Sequence, residues 1–415
     1  MNRWNRRGFI YLLCLGSMLW LTIFSFPSEP VFHQGKSLPS TTEIRGVWLT
    51  NVASGVLFLP WGINRAINQL SALNFNTIYP VVWNRGNTFY KSSIAKIVTG
   101  SDADPILNLI HGGQDVLTKI IQIAKPQGLS VIPWFEYGFM TPVKSQLAQR
   151  YPYWLTMGQE GRKSTTEVPL EEMEDNSAHQ QAWLNPLHPE VREFILALIV
   201  EVVSYYDVDG IQLDDHFGMP VQLGYDAFTV DLYRQEHQGK SPPNDPFNPE
   251  WMRWRADKIT DFMAEIYKSV KAIKPNAIIS LSPNSQSFSY KYYLQDWESW
   301  VRKGLVDELI VQVYRNNQQS FITELEQPAV KFARSRIPVG VGILTGTTKT
   351  PVSIHRIQQQ VQTVRDRTFP GISFFYWESL WGSIAPESPQ QRRNVFEKLF
   401  AERAMRPEFF NADRR

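Results

Sequence analysis

From residue 43 onward the chain alternates between short runs of apolar and β-branched residues and longer stretches whose apolar positions recur every three or four residues. The first pattern is that of buried strands and the second that of amphipathic helices. Eight runs read as strands: IRGVWLT (44–50), NTIYPVVW (76–83), LSVIPWFE (129–136), DGIQLD (209–214), AIISLS (277–282), ELIVQVY (308–314), IPVGVGIL (337–344) and GISFFYW (371–377). Helical periodicity falls between them, near 62–73, 115–126, 189–206, 253–273, 296–303, 320–334, 353–367 and 389–402.

Eightfold alternation of this kind predicts an α/β fold, the (β/α)8 TIM barrel, over residues 43–402. A doubly wound open sheet is the rival, but it would usually carry a glycine-rich phosphate turn after its first strand, and LTNVASGVLF (49–58) is not one. The segments after strands 2, 3 and 4 (84–114, 137–188 and 215–252) are long, whereas returns such as KPNA and RSRIP are short. Long βα loops build the catalytic face of a barrel. The acidic patch EVPLEEMEDNSAH (167–179) in the third insert reads as solvated loop surface.

Strand parity then selects candidate chemistry. In DGIQLDD, Ile211 and Leu213 share the face that packs on helices, which sends Gln212 and Asp214 into the barrel. Asp214 thereby stands at the C-terminal rim as a candidate nucleophile or base, with Asp215 and His216 lining the mouth. The structural alternative is an aspartate pair that caps a loop or meets an arginine. Glycosidic hydrolysis needs a second carboxyl group. Glu136 ends strand 3 and Glu378 follows strand 8; each adjoins aromatic residues whose shelter would raise a carboxyl pKa toward that of a general acid. Either could instead serve a structural salt bridge.

Aromatic residues make up 13% of the chain, with 14 tryptophans, and several sit where strands end. Trp48, Trp83, Trp134, Tyr314 and Trp377 are candidate sugar platforms, with Asn284 and Gln312 as amide partners for hydroxyls. Core filling is the alternative for each ring. Lys plus Arg (42) and Asp plus Glu (40) nearly cancel, so no global field invites nucleic acid. The expected partner is an oligo- or polysaccharide, without a cofactor. The seven histidines form neither a His-x-His nor a His-Glu-x-x-His pattern. Asp214, Asp215 and His216 are consecutive, so their side chains alternate in direction and do not readily converge on one ion without help from a loop; a metal-dependent hydrolase is the weaker rival.

At the N-terminus, Arg3, Arg6 and Arg7 precede an uncharged stretch from Phe9 to Phe26, the layout of a signal peptide or signal anchor over 1–26. Residues 9–26 are the expected membrane contact, and the rest belongs in the periplasm or on the extracellular face. The single cysteine, Cys14, lies in this run, and the preceding Tyr-Leu-Leu lacks the small residue expected beside a lipidated cysteine. Residues 27–42 read as a linker and 403–415 as a tail.

The stretches RGVWLTNV (45–52), PWFEYGFM (133–140), WLNPLHPEVREFI (183–195), YDVDGIQLDDHFG (206–218), SLSPN (280–284) and VQVYR (311–315) together resemble the bacterial glycosyl-hydrolase-like family ten, related to α-amylase-type barrels. The resemblance covers roughly 43–385. It implies a TIM barrel, export and action on bacterial glycans, one branch being associated with peptidoglycan strands that lack stem peptides. By similarity the strand-4 acidic pair falls on Asp214 and Asp215. VVWNRG and WFEYG stand where the commoner pattern has Gln-x-Arg-Pro-type and Asn-Pro-Tyr-Arg-type endings, so the chain is more similar to a cyanobacterial-type subgroup. A barrel that binds glycan without cutting it is the alternative function.

Overall fold

The computed structural model describes residues 41–161, 181–347, 350–381 and 385–407; the N-terminal apolar run and the acidic patch at 167–179 lie outside them. The strands are β1 (Ile44–Leu49), β2 (Thr77–Pro80), β3 in two segments (Ser130–Val131 and Trp134–Phe135), β4 (Gly210–Asp214), β5 (Ile278–Ser282), β6 (Glu308–Gln312), β7 (Val339–Leu344) and β8 (Gly371–Phe375). The principal helices are α1 (Gly62–Ala72), α2 (Val116–Ala124), α3 (Pro189–Tyr205), α4 (Pro249–Ile273), α5 (Trp297–Arg302), α6 (Pro328–Arg334), α7 (Ile354–Asp366) and α8 (Pro389–Leu399).

All strand pairs in the main sheet are parallel, and the two halves of β3 form its two edges: Ser130–Val131 pairs with β2, Trp134–Phe135 with β4. Pro133 lacks an amide hydrogen, which interrupts the ladder between the halves. The backbone bridges the gap: Ile132 N–H donates to Ile78, Val82 N–H to Trp134, and Gln212 N–H to Pro133. The sheet is therefore closed, and the fold is the expected (β/α)8 barrel.

Parity holds along β4. Gln212 lies in the barrel interior, where its amide donates to Ser280 Oγ (3.0 Å) and accepts from Trp48 Nε1 (2.7 Å). Ile211 and Leu213 are fully buried in the apolar core between sheet and helices. Gly210 opens the strand because a Cβ there would strike the main chain of Ile278 on β5.

Three boundaries differ from the sequence reading. The helix expected over 320–334 is two helices, Gln318–Leu325 and α6, because Pro328 cannot continue the first. The helix expected from 253 begins at Pro249, capped by Asn248, whose side chain accepts from the amides of Glu250 and Trp251. The expected linker and tail also join the domain: Thr41–Thr42 pairs in parallel with Ala404–Met405 below β1. Arg406 then enters the lower end of the barrel and pairs with the fully buried Glu308, which also accepts from Tyr79 and Ser280. A carboxylate in that interior requires such a counter-charge, and the residue that supplies it lies in the expected tail.

Candidate active site

β3 and β4 bring the first two acidic groups together. Their register pairs Gln212 with Trp134 and Leu213 with Phe135, so one step further Asp214 and Glu136 end neighbouring strands, whose typical spacing is about 4.8 Å. Asp214 is buried. Its Oδ2 accepts from Trp134 Nε1 at 3.0 Å and its Oδ1 from the main-chain N–H of His216 at 3.0 Å. Glu136 Oε2 accepts from Asn84 Nδ2 (2.5 Å) and Thr50 Oγ1 (3.3 Å).

Burial dominates the titration of this pair. It pushes the Glu136 carboxyl up to about 8, assisted by the charge of Asp214 and opposed by the Asn84 hydrogen bond. It pushes Asp214 up to about 7, opposed by His216. Burial works against the His216 imidazolium, but Asp215 and Asp214 outweigh it and raise that group to about 10. At neutral pH the cluster therefore holds a cationic His216, a protonated Glu136 and an Asp214 that exchanges its proton readily.

Asp214, Asp215 and His216 converge, with the loop supplying what strand alternation alone would not. Their ligand-type atoms lie within 4.8 Å of one another, with His216 Nδ1 3.5 Å from Asp214 Oδ1 and 3.6 Å from Asp215 Oδ1. Alternation fails because β4 ends at Asp214 and the next two residues turn. His216 Nδ1 lies 3.0 Å from the main-chain oxygen of Glu136, an atom that only accepts, so Nδ1 carries a proton. Nδ1 is thus a donor, 3.5 and 3.6 Å from the two aspartates, and makes an ion pair with them when the ring is charged; Nε2 is the ring nitrogen left for any other partner. Gly138 shapes this corner: its φ is +48°, and a Cβ there would meet the His216 carbonyl at 2.5 Å.

Asp215 occupies the lip. Its side chain is 21% exposed, as against 2% for Asp214, and His216 beside it is 23% exposed. Asn284 Nδ2 donates to Asp215 Oδ2 (2.8 Å) and Gln312 Nε2 to Oδ1 (3.2 Å), so both amides, partly exposed, position this carboxylate.

Glu378 keeps separate company. Its Oε1 accepts from Ser54 Oγ and from Val56 N–H (3.0 Å), tying the β1–α1 loop to the end of β8. Burial raises its pKa, partly offset by Ser54. Among the described residues, no hydrogen bond or ion pair joins it to Asp214 or Glu136. Its Oε2 is buried without a protein partner.

The tryptophan platforms are mostly corrected as well. Trp48 is 1% exposed, bonded to Gln212 and stacked on Tyr79; Trp83 is fully buried, bonded to Gly138 O and packed on Phe194. Trp134 and Trp377 are buried too. Trp48 fills the barrel interior, whereas Trp83 packs against α3, so neither offers a face to a ligand. The half-buried rings at the rim are Tyr314 and Phe375, stacked at 5.8 Å. Sequence reasoning missed Thr50, Asn84, Ser54 and Phe375. The first two were signalled, since each is the first polar residue beyond an apolar strand run.

A family model described as "Glycosyl hydrolase-like 10" matches residues 43–364. Among curated relatives, "Glycosyl hydrolase YngK" of Bacillus subtilis (strain 168) is 24% identical over 311 residues, 66% of this chain and 54% of that protein. "Glycosyl hydrolase DigH" of Escherichia coli (strain K12) is 23% identical over 357 residues, 74% of this chain and 76% of that protein. The chain thus spans about half the length of YngK. Among solved structures, the PgaB (BpsB) glycoside hydrolase domain from Bordetella bronchiseptica superposes with a TM-score of 0.61 at 13% identity, covering 86% of this chain and 99% of that one. The β-amylase catalytic domain from Paenibacillus polymyxa gives 0.57 at 10% identity, covering 87% and 100%. These two likenesses concern the fold.

Proposed function

The chain belongs to the glycosyl hydrolase-like 10 family, and on that premise we propose that it is an exported glycoside hydrolase cutting a bacterial cell-wall polysaccharide, with peptidoglycan glycan strands as the first substrate to test. The observation that carries this reading is the pair of buried carboxyls ending adjacent strands, with Glu136 held near pKa 8 and Asp214 near 7. Two carboxyl groups of which one is protonated and the other ionised are what glycosidic cleavage needs.

Glu136 is the general acid: still protonated at neutral pH, it gives its proton to the departing sugar oxygen. Asp214 supplies the negative charge that faces the sugar carbon as nucleophile or base, and Trp134 and His216 aim it. Asp215, more exposed and braced by Asn284 and Gln312, accepts hydrogen bonds from sugar hydroxyls. Glu378 holds the β1–α1 loop as one wall of the cleft and is the alternative acid. Purified full-length protein incubated with peptidoglycan strands freed of stem peptides should generate new reducing ends, and Asp214→Asn should not. Tight glycan binding with no release of reducing ends by the parent protein would favour a binding barrel over a hydrolase.

A further inference from the structure

A line of aromatic rings leaves the candidate active site and reaches the surface. The His216 ring lies 6.3 Å from that of Trp183, Trp183 lies 6.2 Å from Tyr293, and Tyr293 lies 5.9 Å from Phe288. Phe288 packs on Tyr292 at 5.1 Å, and Tyr292 meets Phe247 at 6.4 Å. Exposure rises along the line. Trp183 and Tyr293 are buried, Phe288 and Tyr292 are half-buried, and Phe247 is 38% exposed.

Phe288 and Tyr292 pack against the apolar core and remain partly exposed, and Phe247 is more exposed still. Phe247 sits on the loop before α4 between Pro246 and Asn248, and Phe288 and Tyr292 belong to the helix Gln286–Tyr293 after β5. Both segments rise on the catalytic face. They are joined to the acidic cluster by the main chain: Met219 and Val221, just past β4, donate to the carbonyls of Tyr293 and Tyr292 at 2.7 and 2.8 Å. The helix also starts two residues after Asn284, whose amide holds Asp215. Lys291 reaches over Tyr292 at 5.0 Å and places an ammonium donor beside the ring.

We propose that Phe247, Phe288 and Tyr292 form a distal sugar-binding platform, on the same face of the barrel as the candidate active site, that grips the same polysaccharide several units from the bond being cut. The inference rests on the glycosidase reading of Asp214 and Glu136. Aromatic faces carry negative charge density that the C–H face of a pyranose complements, while its equatorial hydroxyls turn outward to donors such as Lys291. The inner rings brace the platform against the catalytic corner, so a chain seated on it is also held in register with Asp215. The enzyme is accordingly internal-cutting, with affinity that grows with chain length until the platform is reached.

The test is calorimetric binding of a ladder of stem-peptide-free peptidoglycan oligosaccharides, from disaccharide to octasaccharide, to the parent and to Phe247→Ala/Tyr292→Ala. Circular dichroism and thermal melting accompany it, and Phe247→Ala alone serves if the double variant melts early. The parent should bind longer oligosaccharides progressively more tightly. The variant should lose about tenfold on the longest, the size of effect expected when a stacked ring is removed. If the folded variant shows the same gain with length as the parent, the platform is wrong while the cleft assignment stands. If the parent binds no oligosaccharide of any length, both the platform and the proposed substrate fall.

Discussion

The indole N–H of Trp134 points at Asp214 Oδ2 from 3.0 Å, across the ladder that joins β3 to β4. A buried carboxylate accepting a hydrogen bond is stabilised in its ionised form, so this donor restrains a pKa that burial drives upward. Trp134→Phe keeps the ring and removes the donor. The acid limb of the kcat/KM profile should move to higher pH, with turnover near neutrality lowered about tenfold, since hydrogen bonds to charged groups contribute roughly 1.5–3 kcal/mol. An unchanged acid limb would show that Asp214 is not the group titrating there.

The two aspartates should separate kinetically. Asp214→Asn keeps the shape and loses the charge that counts in the transition state, so kcat should fall by about a thousandfold or more with little change in oligosaccharide affinity. Asp215→Asn should raise KM by roughly tenfold and leave more of kcat, because removing binding common to ground and transition states does so. Reversed effects would assign the reacting carboxylate to the lip.

The pH profile of kcat/KM should be narrow and bell-shaped, as the macroscopic titration of a coupled pair. Activity rises as Asp214 loses its proton near 7 and falls as Glu136 loses its own near 8. Glu136→Gln removes the alkaline limb. Its activity should recover selectively on aryl glycosides whose leaving groups need no proton; recovery in Glu378→Gln instead would place the acid after β8.

Stability carries the same signature with a defined sign. Glu136 has a folded pKa of about 8 against an ordinary 4.5, so it contributes stability that is fully present below 4.5 and lost as pH rises through 8. The parent should lose on the order of a few kcal/mol between those limits by urea titration at fixed ionic strength. Glu136→Gln should flatten that slope.

At the opposite end of the barrel, Arg406→Met leaves Glu308 charged and unpaired in a fully buried position. Breaking such a pair typically costs about 3–5 kcal/mol, which chemical denaturation would read as a lower midpoint. Adding Glu308→Gln should recover much of the loss, because the stranded charge is then gone. A variant as stable as the parent would mean that Glu308 takes up a proton instead.

The barrel was legible in the chain because its two periodicities alternate without interruption, and the parity of GIQLD correctly sent Gln212 inward. Asp214 and Glu136 were legible for the same reason: each is the first ionisable group beyond an apolar run. What parity could not convey is the turn after β4 that folds Asp215 and His216 back toward Asp214, since a side chain's direction is periodic only while the strand lasts. Nor could it tell a tryptophan that lines a mouth from one buried in the core. Trp48 and Trp83 carry the same signal as a platform, yet Gln212 and Gly138 take their N–H groups inside. Glu378 showed its position but not its partner, because Ser54 and Val56 lie more than 300 residues away in the chain.

Closure by segments distant in the chain sets an order of events. Strand β1 lacks one neighbour until β8 exists, and Thr41–Thr42 and Glu308 lack theirs until Ala404–Arg406 has emerged. Contacts that span nearly the whole chain form late, because the entropy of drawing such distant segments together is spent before they stabilise anything. A growing chain can therefore build individual βα units as it lengthens, yet the cylinder stays open until β8 is available to β1. A chain cut before residue 371 would leave that seam open to protease, and one cut between 376 and 403 would close it while leaving Thr41–Thr42 and Glu308 unpartnered by Ala404–Arg406.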